Sequence, residues 1–580
     1  MSVMLTKWGK SLDREHPLPE YPRPQLRRDS FLNLNGIWKY AVTKSSAAPE
    51  TWDGDIVVPF SPEAPLSGAE RGPSKDEYLH YFRTFTLPNG FNCGRVLLHF
   101  DAVDQTAEVF VNGVRVVKHA GGYWPFSADI TAQLRAGENE LLVTVRDNAD
   151  DPTFAYGKQR YKRGGMWYTA QSGIWQTVWL ESVPKVYIKS LRITPEYDDA
   201  RVRIELETEG EAPSATCDVL DSEGKFVAGS WAKGGVCVIP LPNFRSWSPD
   251  DPYLYTLDIR CGDDCVKSYF AMRKFSYVQH EGHRVFALNN EPIFHNGLLD
   301  QGYYPDGLLT PPSDEAMVND IETAKRCGFN MLRKHIKIEP LRWYYHCDRL
   351  GMLVWQDMVS GGQPYHLPYV SWLPTVGIVH LSDTLLHFSG RESVLSRIRF
   401  RREMAETVEH LYNCPCITLW TIFNEAWGQF ETKDITAQLR ALDSTRFIDA
   451  ASGWHDQGDP EMKSRHIYFR PVHLKNDGRA LALTEFGGYT CAVDGHRRAE
   501  GEKVYGYRTC PDAAAFTRDY RALMREQVLE HIKKQGLTAA VYTQLTDVED
   551  ELNGLLTYDR EVLKIPEETL REINEPLRFE

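Results

Sequence analysis

Eleven cysteines are scattered over the 580 residues, and none forms a Cys-x-x-Cys pair. Without that spacing neither a disulfide framework nor a thiolate metal site is expected. Only Cys414 and Cys416 lie close, as Cys-Pro-Cys, and the set reads as reduced, mostly buried thiols of a cytoplasmic protein. No run of about 18 apolar residues occurs, so no membrane-spanning helix is expected. The stretch Met1 to Pro24 lacks the apolar core of a signal peptide. Positive charge is also in short supply: 66 Lys and Arg face 80 Asp and Glu, a net charge of −14. A nucleic-acid partner would require a basic face, and that class is excluded. Low-complexity segments and short internal repeats are missing as well.

Aromatic residues are plentiful, with 15 Trp and 28 Tyr. Their flat faces suit sugar rings, although many will serve as core. The length is too great for one core, so about three domains are expected. Residues 1–184 read as a β-sandwich. Short apolar runs such as Ile37 to Val42, Val96 to Phe100, Ala107 to Val111 and Glu140 to Val145 are separated by turn signals, among them Asn112-Gly113, a type I′ hairpin dipeptide. Residues 185–277 look like a small immunoglobulin-like sandwich, with strict alternation from Arg201 to Glu207 and a turn-rich Trp247-Ser248-Pro249.

From residue 278 to 580 strands alternate with amphipathic helices. Ser313 caps a helix that places Val318, Ile321 and Ala324 at core spacing. Strands are expected at 292–297, 330–333, 352–357, 417–423, 447–450, 466–469, 482–485 and 539–544, the eight units of a (β/α)8 barrel. Active groups of such barrels lie at the C-terminal ends of strands. Those ends are Asn296 and Asp300, Arg333 and His335, Asp357, Asn424 and Glu425, Trp454, Tyr468, Glu485, and Tyr542 or Gln544. Strands four and seven each end on a glutamate after an apolar run, Ile417 to Glu425 and Leu481 to Glu485, where an unpaired charge is costly unless it has work to do. Paired carboxyls across a barrel mouth point to glycosidic bond cleavage.

Leu32 to Trp38, Val109 to Gly113, Ser172 to Leu180, Trp247-Ser248-Pro249, Gly328 to Arg333 with Cys347 to Met352, Asn424-Glu425 and Thr484 to Gly488 form a set of motifs in a fixed order. Together they resemble glycoside hydrolase family 2, the family of β-galactosidases, β-glucuronidases and β-mannosidases. The likeness runs from about residue 20 to the end, in the order jelly roll, immunoglobulin-like domain and TIM barrel. It implies that Glu425 is the acid/base and Glu485 the nucleophile of a retaining double displacement, with Glu425 resting protonated against an apolar wall to which Trp420 and Trp427 contribute. Asn424 would meet the sugar 2-OH, and Tyr468 would hold the nucleophile ionised. Arg333 is either an ion-pair partner of Asp357 or the holder of the nucleophile. His335 is shifted by one from the family's Ser-His-Tyr-Pro pattern, since the chain has Lys334-His335-Ile336. Asp300 is a loop residue or a sugar ligand, and Trp454 and Tyr542 are core or stacking residues. The acidic run Glu549-Asp550-Glu551 reads as a solvated face or as a contributor to hydroxyl binding.

For the substrate, the resemblance favours a terminal β-galactoside as the family's most frequent activity, with a β-mannoside or α-L-arabinoside as alternatives. A β-glucuronide is disfavoured, because the Asn-x-Lys motif of the family's glucuronidases is absent. No cofactor is required. A divalent or monovalent cation is allowed by the family, but no metal cluster is legible. The expected partner is a carbohydrate, with no nucleic acid or membrane, and a homo-oligomer is compatible with the family. The reading from another class is a non-catalytic carbohydrate-binding protein on the same scaffold, which the presence of both Glu425 and Glu485 argues against.

Overall fold

Asn112 and Gly113 take φ of 49° and 81° and close the hairpin between strands Thr106–Val111 and Val114–Ala120, the two-residue turn their chemistry favours. The computed structural model describes residues 4–69, 71–211, 214–377, 379–498 and 504–579. That hairpin ends a six-stranded antiparallel sheet, which faces a four-stranded one built on Arg95–Phe100 and Val178–Val183. Alternate residues point inward, and Trp38, Tyr81, Val109, Leu141 and Leu180 fill the space between the sheets. A second, smaller sandwich follows, of three and four strands. Its strand Arg201–Glu209 buries Val202 and Ile204, as the alternation predicts.

The remainder is a nearly closed parallel barrel. Its strands are β1 (His295–Asp300), β2 (Met331–Lys334), β3 (Leu353–Asp357), β4 (Ile417–Thr421), β5 (Phe447–Asp449), β6 (Met462–Ile467), β7 (Ala480–Gly487) and β8 (Leu537–Thr543). They pair in the order β5-β4-β3-β2-β1-β8-β7-β6. Helix α1 (Asp314–Arg326) is capped by Ser313, whose hydroxyl accepts the Ala316 N–H at 3.2 Å. It buries Met317, Ile321 and Ala324, while Val318 is only half-buried. Helix α2 (Leu341–Leu350) ends at Gly351 with φ of 72°, and α3 (Val394–Leu411) starts from the cap Ser393.

Two strands differ from expectation. The run 292–297 is not the first strand: Glu291–Pro292 pairs back onto an antiparallel hairpin, and β1 begins only at His295. That hairpin sends Phe286 against Phe447 and Trp355, closing the barrel near the start of its strands. Strand β6 lies earlier than 466–469 because its first residues, Lys463 to Arg465, are polar and give little strand signal. Phe469, whose ring suggested a buried strand, is 64% exposed.

Candidate active site

Strand β4 delivers Glu425 through a left-handed turn. Glu425 and Ala426 take φ of 50° and 61°, a conformation that costs L residues about 1–2 kcal/mol each. Strain of this kind is kept where neighbours over-determine the backbone. Here the Glu425 N–H donates to Ser452 O at 2.9 Å and the Trp427 N–H to Asn424 O at 2.8 Å. The turn lifts the carboxyl into the barrel mouth, where it is 6% exposed.

Strand β7 delivers Glu485 through a bulge. The β6–β7 register slips between Arg465 and His466, and the β7–β8 register slips between Leu483 and Phe486. A bulge re-aims side chains, and this one turns Glu485 toward Glu425. His466 stands between them, its Nδ1 2.9 Å from Glu425 Oε1 and 3.6 Å from Glu485 Oε2. One donor atom each from Glu425, His466 and Glu485 lie within 4.8 Å of one another.

Arg333, fully buried on β2, joins four parts of the barrel. Its Nε donates to Asp357 Oδ1 at 2.9 Å, and one terminal nitrogen donates to Glu485 Oε1 at 3.2 Å and to Thr484 O at 3.0 Å. The other terminal nitrogen donates to Asn424 Oδ1 at 2.9 Å, so Arg333 both pairs with Asp357 and holds Glu485. His335 Nδ1 lies 2.7 Å from Asp357 Oδ2, and burial pushes its pKa down to about 4. The Tyr468 hydroxyl donates to Glu485 Oε2 and lies 3.1 Å from Thr543 Oγ1, while its ring stacks on Tyr507 at 3.7 Å. Trp454 is set against His466, donating its indole N–H to His466 O at 2.9 Å.

The two carboxyls are driven apart. Burial pushes the Glu425 pKa up and the charge of Glu485 adds to this, outweighing the lowering by His466. Burial also opposes the charge on Glu485, but His466, Arg333 and the Tyr468 hydroxyl together hold its pKa below the ordinary glutamate value. Of the two, Glu425 therefore keeps its proton to higher pH than Glu485. Glu425, His466 and Glu485 are also a set that could ligate a metal ion. A second group, His496, Asp559 and Glu561, has donor atoms equally close.

Three expectations are corrected. Asp300 is not joined to this network: Lys334 Nζ takes one oxygen at 2.6 Å and the Gly302 N–H the other at 2.9 Å, in a buried cluster with Glu339. Tyr542 faces the helices instead of the mouth, packed on Phe486 and on Tyr520 of helix α4 (Ala513–Ala522), because strand side chains alternate and its neighbour Thr543 has the inward position. Trp420 also points outward, bonding Asp443 Oδ2 at 2.9 Å, away from the wall it was expected to supply. Trp427 packs against Tyr365 at 5.8 Å and against Trp167 of the first sandwich at 5.2 Å.

The acidic run is a dock, not a solvated face. The Thr169 N–H donates to Glu549 at 3.1 Å, Arg163 pairs with Asp550 at 3.0 Å and the Tyr168 hydroxyl donates to Glu551 at 3.0 Å. The sandwich loop carrying these residues also brings Lys158 to the mouth, where its charge acts on Glu425. Sequence reasoning missed His466 and Lys158. His466 shares strand parity with Tyr468, a signal that could have found it. Lys158 sits in Gly157-Lys158-Gln159 and carries no local signal at all.

Comparison with known proteins bears on the same arrangement. Residues 66–184 match the model of the glycosyl hydrolases family 2 sugar binding domain, 186–273 match the model named glycosyl hydrolases family 2, and 286–473 match the family 2 TIM barrel domain. A β-galactosidase of Halalkalibacterium halodurans is 22% identical over 519 residues, covering 77% of this chain and 46% of that protein. A β-glucuronidase of Chlorocebus aethiops is 23% identical over 587 residues, covering 90% and 85%. The chain spans about half the length of several curated relatives it matches. Among solved structures, a β-glucuronidase of an uncultured Clostridium superposes with a TM-score of 0.72 at 19% identity, over 95% of this chain and 98% of that one. A Ruminococcus gnavus β-glucuronidase superposes with a TM-score of 0.74 at 16% identity, over 96% and 99%. At these identities the superpositions speak for the fold. With three successive models of one family matched in order along it, the chain belongs to glycoside hydrolase family 2.

Proposed function

We propose that the chain is a retaining exo-glycosidase that removes a terminal sugar from a β-glycoside by double displacement. The observation that carries this reading is the close pair Glu425 and Glu485, whose pKa values are driven in opposite directions. Retaining enzymes hold their carboxyls about 5–5.5 Å apart, too close for a water to fit between acid and base as in inversion. Glu485, ionised and fixed by Arg333 and Tyr468, attacks the anomeric carbon while Glu425 gives its proton to the departing oxygen. Glu425 then takes a proton from water, and that water releases the sugar from Glu485. Asn424 is anchored through its carbonyl oxygen by Arg333, which leaves its amide N–H groups to meet the sugar 2-OH.

The enclosed mouth, roofed by the sandwich loop, suits a chain end. The relatives carry two names, β-galactosidase and β-glucuronidase, and the proposal is drawn at the level of a terminal β-linked sugar. Incubation with a 2-fluoro glycosyl fluoride followed by peptide mapping should place the sugar on Glu485, and labelling of another residue would overturn the assignment. Glu425→Ala should cost about 100- to 10,000-fold on alkyl glycosides and far less on dinitrophenyl glycosides, whose leaving groups need no proton. A folded protein that releases nothing from a panel of aryl β-glycosides would point instead to a carbohydrate-binding protein without catalysis.

A further inference from the structure

Lys158 lies in the loop that crosses from the first sandwich to the barrel. The loop is pinned there by the Tyr156 and Gly157 N–H groups, which donate to Ser360 O at 3.0 and 2.9 Å, and by the Tyr168 N–H, which donates to Lys158 O at 3.0 Å. The residue is 6% exposed. Its ammonium has no carboxylate within 4.0 Å and no hydrogen-bond acceptor among the described residues. Two ring faces and two carboxylates beyond ion-pair distance surround it: Nζ lies 5.4 Å from the Tyr168 ring centroid and 5.7 Å from that of Trp427, and its charge acts on Glu551 and Glu425. Trp427 has a further unmet donor, since its indole N–H is buried without an acceptor.

Every other strongly buried lysine in and around the mouth is paired. Lys334 holds Asp300 and Glu339, Lys337 holds Glu339, and Lys564 holds Asp547. A buried cation is costly when it is not paired, and ring faces compensate only in part. The unpaired one stands at the mouth that the catalytic pair occupies. Two donors without acceptors, an ammonium and an indole N–H, thus meet at one corner of a site meant to receive a ligand.

We infer that Lys158 is a specificity-determining residue, and that the sugar handled at the Glu425–Glu485 pair carries an anionic substituent, a carboxylate or a sulfate ester, that pairs with its ammonium. This rests on the glycosidase reading above and deepens it. It also supplies a reader of negative charge in a chain without an Asn-x-Lys motif, from a different domain and by a different residue.

The test compares the wild type with Lys158→Met on p-nitrophenyl β-D-glucuronide and β-D-galacturonide, on the 6-sulfate of p-nitrophenyl β-D-galactoside, and on the neutral β-D-glucoside and β-D-galactoside. The wild type should prefer an anionic member. In Lys158→Met the anionic-to-neutral ratio of kcat/KM should fall about 100-fold, as expected when one partner of a buried charge pair is removed. Neutral substrates should lose less than the anionic ones, since Lys158 acts on them only through its charge on Glu425. The preferred anion distinguishes carboxylate from sulfate. An equal loss on all substrates, or an unchanged ratio, would overturn the inference while leaving the glycosidase reading intact. Calorimetric titration with D-glucuronate, D-galactose 6-sulfate and D-glucose decides the matter without turnover. A wild type that binds neither anion in preference to D-glucose overturns the inference, and an anion preference lost in a Lys158→Met protein of undiminished Tm supports it. Failure of the glycosidase reading would appear separately, as no labelling of Glu485.

Discussion

Glu425 and Glu485 are the same side chain in two environments, and the difference between them is made by few neighbours. In the proposed mechanism Glu425 holds its proton and Glu485 has lost its own, so kcat/KM should follow a bell in pH, with the alkaline limb set by Glu425 and the acid limb by Glu485. His466 acts on both in one direction, holding each pKa down. Its removal in His466→Ala should therefore raise both, moving the two limbs together toward higher pH. A profile that loses height without moving would show that His466 serves only as packing. The acid pair was legible in the sequence because a carboxylate at the end of an apolar run has few harmless explanations. Arg333 and Tyr468 were legible for the same positional reason. Asp300 was not, because a strand-end acid that is neutralised by Lys334 looks identical in sequence to one awaiting a ligand.

Among the elements, strand parity decided what could be read and what could not. Tyr542 was placed at the mouth by its position near the strand end, but Thr543, one residue on, is the one that reaches Tyr468. An error of a single residue moves a side chain to the opposite face. The bulge at Glu485 had no sequence signal, since Thr-Glu-Phe-Gly-Gly is equally compatible with regular pairing. Helix α3 carries a different consequence of burial. Glu403 is buried with an unpartnered Oε1, and burial raises its pKa from 4.5 to about 7. A carboxyl raised on folding contributes stability below its unfolded value, and this is lost as pH rises through about 7. Glu403→Gln should therefore gain up to about 3 kcal/mol over the wild type at alkaline pH, since each tenfold change in proton affinity is worth about 1.4 kcal/mol. Urea titrations at acid and alkaline pH would read the difference, and an equal effect at both would contradict the assignment.

At the scale of the whole molecule the sandwiches and the barrel share packing. Trp247 of the second sandwich is fully buried in the same apolar cluster as the barrel residues, and it donates its indole N–H to Asp348 O at 2.8 Å. Trp124 and Trp175 of the first sandwich belong to that cluster too. Calorimetry should accordingly show one cooperative transition, and Trp247→Ala should cost about 3–5 kcal/mol, the range for a large aromatic removed from a core. Separate transitions, with only one of them moved by the substitution, would argue that the domains unfold independently. The division into sandwiches and barrel was legible from strand and helix periodicity, whereas this coupling was not, because it joins residues distant along the chain.

The docking of the loop around residues 163–169 on Glu549, Asp550 and Glu551 bears on how such a protein can change over generations. Its halves lie in different domains, at opposite ends of the chain. A recombination that replaced the sandwich of one lineage with that of another would exchange one half of the joint and strand the other. Two buried acids, Glu549 and Glu551, and the half-buried Asp550 would then face a foreign loop. Domain shuffling within the lineage is thus constrained by this joint, and compatible partners are those in which loop and acidic run have been inherited together.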